Sequence, residues 1–112
     1  MERTSSPAVL VLPAEVSNDG IAAIDGEAAR LLGTEGTALV VHLGQTAFLS
    51  SGALGLFVKW GKCLSERGGR LALVRPRPSV QRLLRAVGLD EILPWFHDVG
   101  AASAYVTGGG AR

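Results

Sequence analysis

The run Thr37-Ala38-Leu39-Val40-Val41-His42-Leu43 constrains this chain more than any other stretch. It is β-branched and apolar on both faces of an extended backbone, without the polar alternation of a half-exposed strand. Such a strand has to be covered on both sides, as the central strand of a parallel sheet is. Two more short apolar runs agree with it: Ala8-Val9-Leu10-Val11-Leu12, stopped by Pro13, and Arg70-Leu71-Ala72-Leu73-Val74. Helical patterns lie between them. Asn18 is placed to cap a helix whose apolar positions are Ile21, Ile24, Ala28, Leu31 and Leu32, with Gly33 as its stop. A second helix is predicted from Ser51 to about Glu66, ended by Gly68-Gly69. A third begins near Pro78, carries Val80, Leu83, Leu84 and Val87 on one face, and closes at Gly88. Ile92-Leu93-Pro94-Trp95-Phe96 reads as a short edge strand, because Pro94 lacks the N–H that a central position would use. Residues 99–107 read as a last helix. The order β-α-β-α-β-α-β-α predicts an α/β fold, a mostly parallel sheet with helices packed on it.

A chain of 112 residues is expected to form one domain, residues 1–112, with a core from about 8 to 106 and loose tails at 1–6 and 108–112. No apolar run approaches the ~20 residues of a membrane-spanning helix, so no membrane insertion is expected. Residues 1–7 lack the apolar core of a secretory signal, and the single cysteine, Cys63, makes no internal disulfide. Both suit a cytoplasmic protein. A formal net charge of +1 gives no general electrostatic reason to bind nucleic acid.

Two adjacent serines then stand out. The second-strand-to-helix connection is short, and it sets Phe48-Leu49-Ser50-Ser51 at the C-terminal edge of the sheet, where α/β proteins keep their sites. A serine there can cap the four unpartnered N–H groups of the helix, worth ~1 kcal/mol. The same geometry favours a phosphate on Ser51 or Ser50, at the positive end of the helix dipole. A serine nucleophile fits less well: Leu49 stands where Gly-x-Ser-x-Gly needs glycine, and His42 in its apolar run reads as a core residue rather than a base. The Gly55–Cys63 segment has the wrong spacing for a phosphate-binding loop, and His42, His97 and Cys63 show no metal-ligand spacing. No cofactor is expected.

The helix from Ser51 carries two apolar stripes. Ala53, Leu54, Phe57, Val58, Gly61 and Leu64 suffice to cover the sheet, which leaves Leu56, Trp60 and Cys63 as a second stripe. That stripe lies under neighbouring helices or forms a binding patch beside Ser51 with Trp60 as its anchor; Cys63 reads as a buried thiol. Arg70, Arg75, Arg77, Arg82 and Arg85 read as a solvated face, or as one that meets an acidic protein surface.

Four short stretches in order carry a family resemblance. Val40-Val41-His42-Leu43 with Phe48-Leu49-Ser50-Ser51-Gly52-Ala53-Leu54-Gly55, then Gly68-Gly69-Arg70-Leu71-Ala72-Leu73-Val74, then Pro78-Ser79-Val80-Gln81-Arg82-Leu83-Leu84, then Val87-Gly88-Leu89, resemble the STAS domain, in particular bacterial anti-sigma factor antagonists. The resemblance implies helices mainly on one face of the sheet and no enzymatic activity. It implies a partner, an anti-sigma factor that is a GHKL-type serine kinase, and a metal-dependent serine phosphatase that reverses its action. The phospho-acceptor falls on Ser51. Ser50, Ser51, Gly52, Ala53, Leu56 and Trp60, with Glu15 and Ser17, would then contact the partner. Ser50 and Ser17 stand where the family usually has aspartates. A non-phosphorylated STAS subunit of a lipid-transport ABC complex or larger signalling assembly is the alternative, and a small serine hydrolase a third reading.

Overall fold

β3 (Ala38–His42) shows why the chain folds as it does. In a computed structural model that describes residues 7–108, Leu39 and Val41 point into one apolar cluster and Ala38 and Val40 into another. β1 (Ala8–Val11) pairs with it on one side and β5 (Arg70–Val74) on the other, and β6 (Trp95–Phe96) closes the order β1-β3-β5-β6. Each of these pairings is parallel, with Val9 opposite Val40, Leu39 opposite Leu71 and Leu73 opposite Trp95. β2 (Glu15–Val16) and β4 (Phe48–Leu49) form a separate parallel pair of two residues each.

Three helices cover one face: α1 (Ile21–Leu32), α2 (Ser51–Glu66) and α3 (Pro78–Ala86) contribute Ala28, Phe57, Leu64, Val80 and Leu84 to the cluster of Leu39 and Val41. α4 (Val99–Val106) covers the other face with Ala102 and Val106 against Val40, Ala72 and Val74. The helices therefore lie mainly on one face, as expected. Gly33, Gly68 and Gly88 end their helices at φ of 66°, 80° and 79°, a region open to glycine at little steric strain. The tails expected to be loose lie outside the described residues, Gly108 excepted. Among the described residues no helix is long and apolar enough to cross a membrane.

The start of α1 differs from expectation. Asn18 does not cap α1: a single 3-10 turn, Asn18–Gly20, comes first, and α1 starts at Ile21 without a side-chain cap. The Asn18 side chain is turned toward α2 instead.

The turn after β1 is tied to the turn after β3. The buried Thr46 hydroxyl donates to the Pro13 carbonyl at 2.9 Å, and Gln45 Nε2 donates to the Leu12 carbonyl at 3.0 Å. The Ala47 and Ser50 amides donate to the Ala14 and Val16 carbonyls, at 2.7 and 2.9 Å. These bonds seat Glu15 and Ser17 beside the start of α2.

Candidate functional site

The two serines at the start of α2 have different positions. Ser50 has extended backbone (φ −72°, ψ 167°) and is the N-cap; its Oγ accepts from the Ala53 amide at 3.2 Å. It is buried. Ser51 is the first helical residue and is exposed. Its hydroxyl sits where the unpaired amides of the first turn concentrate positive potential, and no acidic residue occupies that turn. Ser50→Ala is expected to lower stability by about 1 kcal/mol, through loss of the cap. Urea denaturation followed by far-UV circular dichroism measures this.

Gly52 follows because Asn18 crosses over it. A Cβ there would lie 2.5 Å from Asn18 Oδ1 and 3.4 Å from Ile21 Cγ1. Glu15 pairs with Phe48 in the small strand pair, and Glu15, Ser17, Asn18 and Phe48 are all exposed. The structure thus brings Ser51, Gly52, Glu15 and Ser17 to one surface. It adds two residues not counted among the expected partner contacts: Asn18, read from the sequence as a helix cap, and Phe48 at 51% exposure. The available signal for Phe48 was an aromatic side chain three residues before Ser51, in the connection that leads into α2.

The apolar stripe of α2 is not part of that surface. Ala53, Leu56 and Trp60 are buried in the main core, at 1%, 6% and 5% exposure, so none of the three offers the docking patch anticipated from the sequence. The physical reason is α1, which lies alongside α2. Trp60 packs against Phe57 with ring centroids 5.8 Å apart, and its Nε1 donates to Asp25 Oδ1 on α1 at 2.9 Å. Val58, assigned to the sheet side, is exposed, and Cys63 is exposed rather than buried.

Asp25 joins the two helices. Its Oδ2 accepts from Lys59 Nζ at 2.7 Å. The Lys59 ammonium, and then the Trp60 indole N–H, hold the Asp25 carboxyl below its ordinary range. A lowered folded-state value means that the contribution to stability is present above the ordinary carboxylate range and is lost as pH falls through the lowered value. Asp25→Asn is therefore expected to flatten the decline of melting temperature on the acid side. Thermal melts from neutral pH down to pH ~2 test this.

The remaining candidates sit elsewhere. His42, at the end of β3, is half-buried rather than in the core, and its Nδ1 accepts from the Gly44 amide at 3.1 Å. A Cβ on Gly44 would fall 2.6 Å from His42 Cε1, so glycine makes that contact possible. Arg70 lies over the Tyr105 ring at 4.7 Å and donates to the Tyr105 carbonyl at 3.0 Å. Arg85 lies over Trp95 at 5.5 Å. Arg75, Arg77 and Arg82 are exposed.

Comparison with known proteins gives this arrangement a context. A family model described as "Mlab, STAS domain" matches residues 1–94. No curated protein matches the chain. Among solved structures, an anti-sigma factor antagonist from Mycobacterium paratuberculosis is 21% identical with a TM-score of 0.79, over 94% of this chain and 89% of that one. The anti-sigma factor antagonist SpoIIAA in its unphosphorylated form is 20% identical with a TM-score of 0.73, over 89% of each chain. The Bacillus cell fate determinant SpoIIAA in its phosphorylated form is 19% identical with a TM-score of 0.68, over 90% of this chain and 92% of that one. At these identities the likeness is one of fold.

Proposed function

This chain belongs to the STAS domain family, and from that premise we propose that it is a cytoplasmic anti-sigma factor antagonist, one STAS domain over residues 1–112, switched by phosphorylation of Ser51. Its partner is an anti-sigma factor that is also a GHKL-type serine kinase, and a metal-dependent serine phosphatase restores the binding form. It acts by binding and catalyses nothing itself. One observation carries the reading: the exposed hydroxyl of Ser51 opens α2, while the buried Ser50 beside it caps the helix. That SpoIIAA has been solved in both phosphorylated and unphosphorylated forms supports it by analogy of fold.

Docking then rests on Ser51, Gly52, Glu15 and Ser17, with Phe48 and Asn18 added and the buried Ser50, Ala53, Leu56 and Trp60 removed. Incubation with candidate GHKL kinases and ATP, followed by intact-mass measurement, is expected to show one added phosphoryl group on the wild type and none on Ser51→Ala. A phosphoryl group that persists on Ser51→Ala would place the switch elsewhere.

A second reading is a STAS subunit of a lipid-transport ABC complex that is never phosphorylated. It is favoured by Ser50 and Ser17 standing where aspartates are usual. No phosphoryl transfer from any GHKL kinase would favour it.

A further inference from the structure

The C-terminal rim of the sheet holds a second feature, separate from Ser51. A hollow of about 460 Å³ is lined by Gly44, Arg75, Pro76, Arg77 and His97. We propose that this hollow binds a phosphate group.

Two guanidinium groups and an imidazole line it, and none of its lining residues is acidic. The nearest carboxylate in sequence, Asp98, is committed to α4: its Oδ1 accepts from the Ala101 amide at 2.7 Å. Among the described residues no carboxylate forms an ion pair with Arg75 or Arg77. The backbone that presents these arginines is fixed. Pro76 between them is buried, its carbonyl accepts from Gln81 Nε2 at 2.9 Å, and the Arg75 amide donates to the Phe96 carbonyl at 2.9 Å. Arg75 itself is held at φ 56°, the one non-glycine residue with positive φ among those described. Both arginine side chains are exposed to incoming solute.

The helix beside the hollow adds to the cations. Arg77 is the N-cap of the nine-residue α3, where no side-chain oxygen accepts from the first turn and no acidic residue lies in it. α2 and α4 each have such an oxygen, from Ser50 and Asp98. Arg75 and Arg77 therefore line a space beside the start of α3 that no carboxylate claims. A doubly charged tetrahedral oxyanion answers that arrangement better than a single carboxylate, because it offers oxygens to two guanidinium groups at once. The volume leaves room for the group that bears the phosphate.

The phosphate can come from a free ester or from a phosphorylated side chain on another protein, and titration separates the two. Amide spectra of 15N-labelled protein are recorded with inorganic phosphate, with a short phosphoserine peptide and with acetate, at constant ionic strength. Saturable shifts confined to Gly44, Arg75, Arg77 and His97 are expected with phosphate. The Arg75→Ala/Arg77→Ala variant is expected to weaken that binding at least about tenfold, the loss of a charge-assisted hydrogen bond to each oxyanion. Lys62→Ala, on a distant part of α2, is expected to leave it unchanged. Tighter binding of the phosphoserine peptide than of phosphate identifies a protein-borne group; equal binding identifies a free ester. Shifts that do not saturate, that persist in the double variant, or that acetate reproduces at equal concentration overturn the proposal. Should the double variant lose its folded spectrum, Arg77→Ala alone is measured, with the same weakening required.

Discussion

Gly69→Ala is expected to destabilise the protein by at least about 3 kcal/mol, the upper end of what overpacking costs. A Cβ at Gly69 would fall on the backbone carbonyl of Thr37, and it would also meet the Thr37 carbonyl carbon at 2.6 Å and Cβ at 2.7 Å. None of these atoms can swing aside as the end of a long side chain would. They belong to the entry of β3, where the Arg70 amide donates to that same Thr37 carbonyl at 2.9 Å. Relief would require prising apart the first rung between β3 and β5, the two central strands. A domain of this size has only about 5–15 kcal/mol to lose. The matched control is Gly55→Ala, in the exposed face of α2, where a Cβ meets nothing within 4 Å. There alanine should stabilise by about 0.5–1 kcal/mol, because it loses less backbone freedom on folding. Urea unfolding midpoints of both variants, taken together, decide the matter. A Gly69→Ala midpoint equal to wild type would mean that the two strands do not approach as described.

Ser51→Asp is expected to abolish binding to the cognate anti-sigma factor, while Ser51→Ala retains it. The physics separates binding from folding. An acid at the first position of α2 faces the positive end of the helix dipole, so the folded state should gain about 0.3–1 kcal/mol rather than suffer. The same charge must lose its water when a partner closes over it, and it repels any acidic group opposite. Isothermal calorimetry against the kinase, paired with thermal melts, gives both quantities. Loss of affinity with an unchanged or raised melting temperature is the expected pair. Equal affinities of the two variants would sink the switch; a fall in melting temperature would mean that Ser51 has a structural role that its exposure denies.

Much of this architecture was legible because local rules and the global fold agree. The Thr37–Leu43 run could be satisfied only between two covered faces, and Gly33, Gly68 and Gly88 marked helix ends through a conformation that other residues avoid. Ser51 as the opening of α2 followed from the apolar spacing downstream of it. What failed was assignment of surfaces. The spacing of Leu56, Trp60 and Cys63 reports that they share a stripe, but not which neighbour covers it. Leu56 and Trp60 are buried in the main core, while Cys63 in the same row lines an open hollow between α1 and α2 and stays exposed. Asn18 satisfied every local criterion for a cap, but was drawn to Gly52 by a contact 34 positions away in the chain. His42 looked like a core residue because its run is apolar; it lies at the last position of β3, where the strand meets the rim. Only the assembled sheet reveals that Arg75, Arg77 and His97 line one hollow.

The division of labour between residues 50 and 51 has a temporal consequence. The neighbour that sets the helix in place is buried, so under the proposed switch a charge would come and go on the outer hydroxyl without breaking the cap. Under the proposed switch, the return to the competent form would be timed by the enzyme that strips the modification, and the signal would last as long as that enzyme is held back.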